Sequence, residues 1–196
     1  NNVLVATGGF MEYVLVQGKD PVHRYIQSCK EAGFDIIENS SGFITLPTDD
    51  WLRLIEWEMQ AGMKAKPEVG VQFGAGGATA TGDLKKAGLR NAGYAIKQAQ
   101  HFLEAGVDII MIESEGITEN TEPWRTDVVT QFIDGIGLEH HLMFEAAEPS
   151  VFEWYIRNYG HHINLFVDHS QIVQLECLRQ GIWDTEHSWG RIQGLS

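Results

Sequence analysis

Glu31-Ala-Gly-Phe-Asp-Ile-Ile-Glu38 and Glu104-Ala-Gly-Val-Asp-Ile-Ile-Met-Ile-Glu113 are two versions of one phrase. Each leaves a helical segment through a glycine, starts an apolar run on an aspartate and finishes that run on a glutamate. Outward from these copies the same grammar continues. Gly62, Gly137 and Gly160 also follow segments with helical spacing and precede apolar runs, and glycine there fits a left-handed C-cap. Val22, Tyr25, Ile26 and Cys29 share one helical face. So do Leu52, Ile55 and Met59; Ile96, Ala99, Phe102 and Leu103; Val129, Phe132, Ile133 and Ile136; and Val151, Trp154 and Tyr155. The spacing predicts strands over 3–7, 35–39, 64–69, 108–113, 141–145 and 164–168. Most read as apolar on both faces, as strands of a covered parallel sheet do. A repeated βα unit follows.

Two architectures use such a repeat. A doubly wound dinucleotide fold should carry Gly-x-Gly-x-x-Gly after its first strand, and Thr7-Gly8-Gly9-Phe10 does not fit. The other is the (β/α)8 TIM barrel, which needs about 250 residues. The chain has 196, short by roughly two βα units, and it enters a strand almost at once. Residues 1–196 are therefore expected to form a single α/β barrel domain lacking the first two strands, truncated at its N-terminus.

A barrel works at the C-terminal ends of its strands. Here those ends are Thr7, Glu38, Glu68, Glu113, Glu145 and Asp168. One acid at a strand end means little; five in succession predict convergence. Gathered carboxylates repel, and a divalent cation or a lysine relieves them. Lys66, two residues before Glu68, is placed for proton transfer; Lys64, nearer the strand start, reads as a solvated lysine. Arg125 opens a helix and is a candidate anion contact, although a local pair with Asp127 or Glu122 would look the same. Gly74, Gly76 and Gly77 could cradle a phosphate through backbone N–H groups; a flexible lid would have the same composition. His169 could serve as an acid, a ligand or a supporting donor. His140, His141, His161 and His162 fall on the opposite side and read as surface residues.

The net charge of -13 argues against non-specific binding to nucleic acid or to an anionic membrane. No apolar run reaches the roughly 18 residues of a membrane span, and the first residues do not read as a signal peptide. Cys29 and Cys177 sit in amphipathic patterns and are expected to be buried, reduced thiols of a cytoplasmic protein.

These residues together resemble the phosphosulfolactate synthase family over nearly the whole chain. The matching segments are Ala6-Thr-Gly-Gly-Phe10, Glu38-Asn-Ser-Ser-Gly-Phe-Ile44, Lys64-Ala-Lys-Pro-Glu-Val-Gly70, Phe73-Gly-Ala-Gly-Gly77, Met111-Ile-Glu-Ser-Glu-Gly-Ile-Thr118, Trp124-Arg-Thr-Asp127, Met143-Phe-Glu-Ala-Ala147 and Asn164-Leu-Phe-Val-Asp-His-Ser-Gln171. The resemblance implies a carbon–sulfur lyase that adds sulfite to phosphoenolpyruvate with Mg2+, as in coenzyme M and sulfolactate synthesis. The substrates it implies are small anions, and a homo-oligomer is expected. By resemblance Lys66 is the proton donor; Glu68 and His169 are expected with it as catalytic residues, and Ser40, Arg125, Gly76 and Gly77 as substrate-binding residues. Strand position selects Glu113, Glu145 and Asp168 as metal ligands ahead of Glu68 and Glu38. Family members begin with two further strands, carrying Asp-Lys-Gly and Lys-Phe-Gly-like segments that this chain does not show. The family also has plant relatives, heat-stress-associated barrel proteins linked to thermotolerance. Retention of Glu68 beside Lys66, and of Glu113 with Glu115, favours the enzyme over that reading. A different barrel lyase or aldolase is a third.

Overall fold

The computed structural model describes residues 3–40, 44–75, 80–137 and 141–182. In chain order the elements are α1 (Met11–Leu15), α2 (Lys19–Ala32), β1 (Ile36–Asn39), α3 (Thr48–Gln60), β2 (Lys64–Val69), α4 (Thr81–Ala87), α5 (Ala92–Glu104), β3 (Ile110–Ile112), α6 (Thr126–Ile136), β4 (Leu142–Glu145), α7 (Pro149–Tyr159), β5 (Leu165–Phe166) and α8 (Ile172–Arg179). Among the described residues the strands form one five-stranded parallel sheet in the order β1-β2-β3-β4-β5. This is the α/β architecture of a partial TIM barrel, with the barrel not closed.

Helices form where the sequence places its apolar stripes. The α2 stripe buries Val22, Ile26 and Cys29, and α6 buries Val128, Val129 and Phe132. Local chemistry fixes their ends. Gly33 caps α2 in the left-handed region at φ 87°. Gly160 ends α7 at φ 92° and ψ 165°, a region of backbone space left essentially to glycine. Asn91 caps α5 by accepting the Gly93 N–H at 2.7 Å.

The expected first strand over 3–7 shrinks to a single bridge from Ala6 to Ile36. Val3, Leu4 and Val5 are exposed. They lie at an edge of the sheet, where Val5 donates its N–H to Asp35 Oδ2 and accepts from the Asp35 and Ile36 N–H groups. The other strands appear where expected, each somewhat shorter.

Register decides what each face carries. Side chains alternate along a strand, and parallel neighbours in register share a face. Ile37, Ala65, Val69, Ile110, Ile112, Leu142, Phe144 and Leu165 lie on the face covered by helices, and all are buried. They meet Phe102, Phe132, Phe152 and Tyr155 there. Each Val, Leu, Ile or Phe side chain among them contributes roughly 1.5–3 kcal/mol on burial, so this helix-facing layer is the core. The other face carries Glu38, Lys66, Glu68, Met111, Met143, Glu145 and Phe166. The expectation that most strands are apolar on both faces is therefore corrected. One face builds the core and the other builds a polar concavity. Cys29 is buried and Cys177 half-buried, and both are free.

Candidate active site

Three strands bring the centre of the site together. Register sets Glu38 of β1 opposite Lys66 of β2, and Lys66 Nζ lies 2.9 Å from Glu38 Oε2. The two side chains are only 6% and 11% exposed, so this is a desolvated ion pair, held by strand geometry and costly to break by removing one partner. Glu38 is oriented from two sides: its N–H donates to Thr7 Oγ1 at 3.0 Å, and Ser40 Oγ donates to its Oε1 at 3.3 Å. The Phe166 ring closes over Lys66 from β5, with Nζ 4.9 Å from its centroid.

Beside this pair stands a row of carboxyls. Glu113 makes side-chain contact with both Glu68 and Glu145. Burial, then the charge of Glu145, then that of Glu68 push the Glu113 carboxyl far above the ordinary carboxylate range. Burial and the charges of Glu145 and Glu38 push Glu68 up as well. The row is anchored at its far end. Ser114 donates its N–H to Glu145 Oε2 at 3.3 Å, and its hydroxyl lies 3.1 Å from the same oxygen and 2.7 Å from Glu119 Oε2. Gly70 makes room for the row, because a Cβ there would come within 2.8 Å of the Glu113 Cβ.

Glu113 and Glu145 offer hard oxygen donors whose mutual repulsion a dication would relieve. That fits magnesium, which takes one or two carboxylates and leaves its remaining positions to water and substrate. Asp168 does not join them: among the described residues no three His, Cys, Asp or Glu side chains converge as a metal-binding group. Its carboxylate caps the turn over His169–Gln171 instead, accepting from the Ser170 N–H, and these Ser170 hydrogen bonds hold it below the usual carboxylate range. It borders a cavity of about 540 Å³ shared with Glu145 and Phe166.

The other expected site residues divide. His169 is 92% exposed, with its Nδ1 3.4 Å from Asp168 Oδ2. Arg125 turns its guanidinium onto Asp127, at 3.2 and 3.1 Å; the local pair takes the fork that was expected to meet an anion. Lys64 is exposed and pairs with Asp108 at 3.0 Å, as a solvated lysine should. Ser40 stands at the pair. Gly76 and Gly77, with His140, lie outside the described residues; Gly74 is a turn residue at φ 70°.

Three site residues escaped the sequence reading. Glu12 of α1 is buried and accepts the Ile44 N–H at 3.0 Å; its signal is an acid inside an otherwise apolar run. Ser114 bridges Glu145 and Glu119, and only the fold reveals it. Arg90 carries a guanidinium between the rings of Phe73 and Tyr94, on the loop that leads into α5. A cavity of about 810 Å³ opens between α4, the 118–124 loop and the start of α7, lined among others by Lys85, Thr118, Glu119 and Trp124.

Comparison with known proteins adds the following. The family model described as (2R)-phospho-3-sulfolactate synthase (ComA) matches residues 1–185. The chain is 34% identical over 189 residues to the protein HEAT-STRESS-ASSOCIATED 32 of Arabidopsis thaliana, covering 91% of this chain and 66% of that protein. It is 24% identical over 170 residues to phosphosulfolactate synthase of Methanothermobacter thermautotrophicus, covering 83% of this chain and 62% of that enzyme. The chain thus spans about two thirds of the length of these relatives. Among solved structures, phosphonopyruvate hydrolase in complex with oxalate and Mg++ aligns at TM-score 0.53 and 17% identity, over 82% of this chain and 54% of that one. N-acetylneuraminate lyase from Fusobacterium nucleatum complexed with pyruvate aligns at 0.51 and 13%, over 82% and 51%. At these identities the likeness speaks for the barrel fold alone. No helix among the described residues is long and apolar enough to cross a membrane.

Proposed function

The chain belongs to the phosphosulfolactate synthase family, and on that premise we propose that it adds sulfite to phosphoenolpyruvate to give (2R)-phospho-3-sulfolactate. The observation that carries the reading is the buried Lys66–Glu38 pair beside the Glu68–Glu113–Glu145 row. The reaction needs one positioned proton and a place to hold negative charge. The sulfur lone pair attacks the methylene carbon, and the π electrons move toward the neighbouring carbon and its carboxylate. Lys66 then gives a proton from Nζ to that carbon, so that an N–H bond breaks as a C–H bond forms. Glu38 fixes the ammonium through the 2.9 Å contact, and Phe166 keeps water from its open side. Such a positioned acid contributes typically 10²–10⁴-fold. Glu68 stands on the same face two residues on, beside Glu113 in the acid row. Mg2+, when bound, supplies charge neutralisation at the substrate carboxylate, and Glu113 with Glu145 would hold it.

The experiment is direct. Full-length protein receives phosphoenolpyruvate, sulfite and magnesium, and mass spectrometry follows a sulfonated phosphate ester. Product lost in Lys66→Ala supports the reading; absence of product from folded wild-type protein refutes it.

A second reading rests on the 34% identity to the plant protein: a barrel of this family that acts in heat stress without the synthase reaction. Suppression of client aggregation on heating, in protein that makes no product, would favour it.

A further inference from the structure

A substrate with a carboxylate and a phosphate must be held in a concavity lined by acids. The cations singled out from the sequence are already engaged, Lys66 by Glu38 and Arg125 by Asp127. Arg90 differs. No carboxylate among the described residues pairs with it, and its Nε is buried without a hydrogen-bond partner.

Its position is fixed by a short ribbon. Gln72 bridges Leu89 in antiparallel sense, the Arg90 N–H donates to the Val71 carbonyl at 2.6 Å, and the Phe73 N–H donates to the Gly88 carbonyl at 3.0 Å. Gln72 Nε2 ties the ribbon down by donating to the carbonyls of Leu84 and Gly88, each at 2.9 Å. The ribbon follows β2 directly, and its start packs on the acid row: Gly70 abuts Glu113, and Gly116 abuts Leu89 and Gln72. Arg90 is therefore borne on the C-terminal side of the sheet with the candidate site.

Two exposed aromatic side chains brace it. The guanidinium carbon is 4.6 Å from the Phe73 centroid and 5.6 Å from that of Tyr94. Stacked faces leave only the planar edge of a guanidinium for polar contacts, and that edge matches two phosphate oxygens. Bracing removes side-chain freedom before a ligand arrives, which lowers the entropy cost of each hydrogen bond formed.

We infer that Arg90 is an oxyanion-binding residue and takes the phosphate group of a phosphate-ester substrate. That the ester is phosphoenolpyruvate rests on the function proposed above; that the site binds phosphate does not.

Isothermal titration calorimetry of the full-length protein, its Arg90→Gln variant and its Arg90→Lys variant tests the inference, with inorganic phosphate, phosphoenolpyruvate and sulfite as separate probes and circular dichroism to verify folding. Arg90→Gln should weaken phosphate and phosphoenolpyruvate by about tenfold or more, and leave sulfite unchanged. In turnover the KM for phosphoenolpyruvate should rise by a similar factor while kcat changes by less than about threefold. Should Arg90→Gln fail to fold, Arg90→Lys carries the test: it keeps the charge, loses the fork, and should still weaken phosphate by about threefold or more. Phosphate affinity unchanged within about twofold in the folded variant would overturn the inference. So would a loss confined to sulfite, or wild-type protein that binds neither phosphate nor phosphoenolpyruvate. Arg90-dependent phosphate binding in a protein that makes no product would keep this inference and remove the synthase reading. Product formation with an unchanged KM in Arg90→Gln would do the reverse.

Discussion

Glu58→Gln should stabilise the protein, increasingly so as pH rises. Glu58 of α3 is fully buried and receives the Asn39 Nδ2 hydrogen bond at 2.9 Å on Oε2. Its Oε1 and the Asn39 Oδ1 are both buried without partners. Two acceptors cannot satisfy each other, whereas a protonated Glu58 gains a donor of its own and no longer buries a charge. Burial raises the carboxyl from 4.5 to about 8, with the Asn39 hydrogen bond opposing in part. The proton is bound more tightly in the folded chain, so this group's stabilising contribution is complete below pH 4.5 and is lost as pH rises toward 8. At pH 7 the unfolded chain has released the proton and the folded chain has not, and holding it costs about 3 kcal/mol at 1.36 kcal/mol per pH unit. Glutamine supplies the missing donor permanently and has no proton to lose. The variant should match wild type near pH 4, exceed it by about 3 kcal/mol at pH 7, and exceed it by between about 4 and 5 kcal/mol above pH 8. Urea denaturation of both proteins at pH 4, 5.5, 7 and 8.5 measures this directly. Two stability curves that run parallel across that range would refute a protonated Glu58, whatever their separation.

Four further outcomes follow from the site. Lys66→Ala should cut kcat by about 10²–10⁴-fold, measured by product formation, and should destabilise the fold because Glu38 is left buried and unpaired. Glu113→Gln should raise the melting temperature at neutral pH, since a carboxyl whose folded pKa is raised loses stability as pH rises; magnesium titration calorimetry should show weaker binding in the same variant. Gly70→Ala should displace Glu113 and cost about 1–3 kcal/mol, with the loss of turnover exceeding that expected from stability alone. Phe166→Ala should leave the fold intact, since Phe166 is 38% exposed, yet reduce kcat by opening Lys66 to water; kcat equal to wild type would remove the ring from the mechanism.

How much of this was legible depends on the range of each interaction. The order of elements could be read because its signals are local: a glycine closes a helix and an apolar run follows. The site was legible wherever a strand ends, since Glu38, Glu68, Glu113 and Glu145 need only the barrel rule to be gathered. Asp168 obeys the same rule on paper but ends beside Ser170, and a short acid next to a serine satisfies the backbone nearby in preference to a distant ligand set. Arg125 was diverted in the same way, by Asp127 two residues on. Asn39–Glu58 and Arg90 against Phe73 had no local signal, because these partners meet only after the chain has folded.

The period-two alternation explains why the acids had to converge. Within β2, Ala65 and Val69 face the helices while Lys66 and Glu68 face the concavity. A slip of one residue would exchange the faces, placing a lysine and a glutamate against Trp51, Ile55 and Phe102 and exposing the apolar set. Burying two unpaired charges costs several kcal/mol each, against a net stability of about 5–15 kcal/mol for a whole domain. The register that builds the core is thus also the register that sets Lys66 against Glu38. A variant that moves one without the other would have to change the spacing within β2 rather than any single side chain.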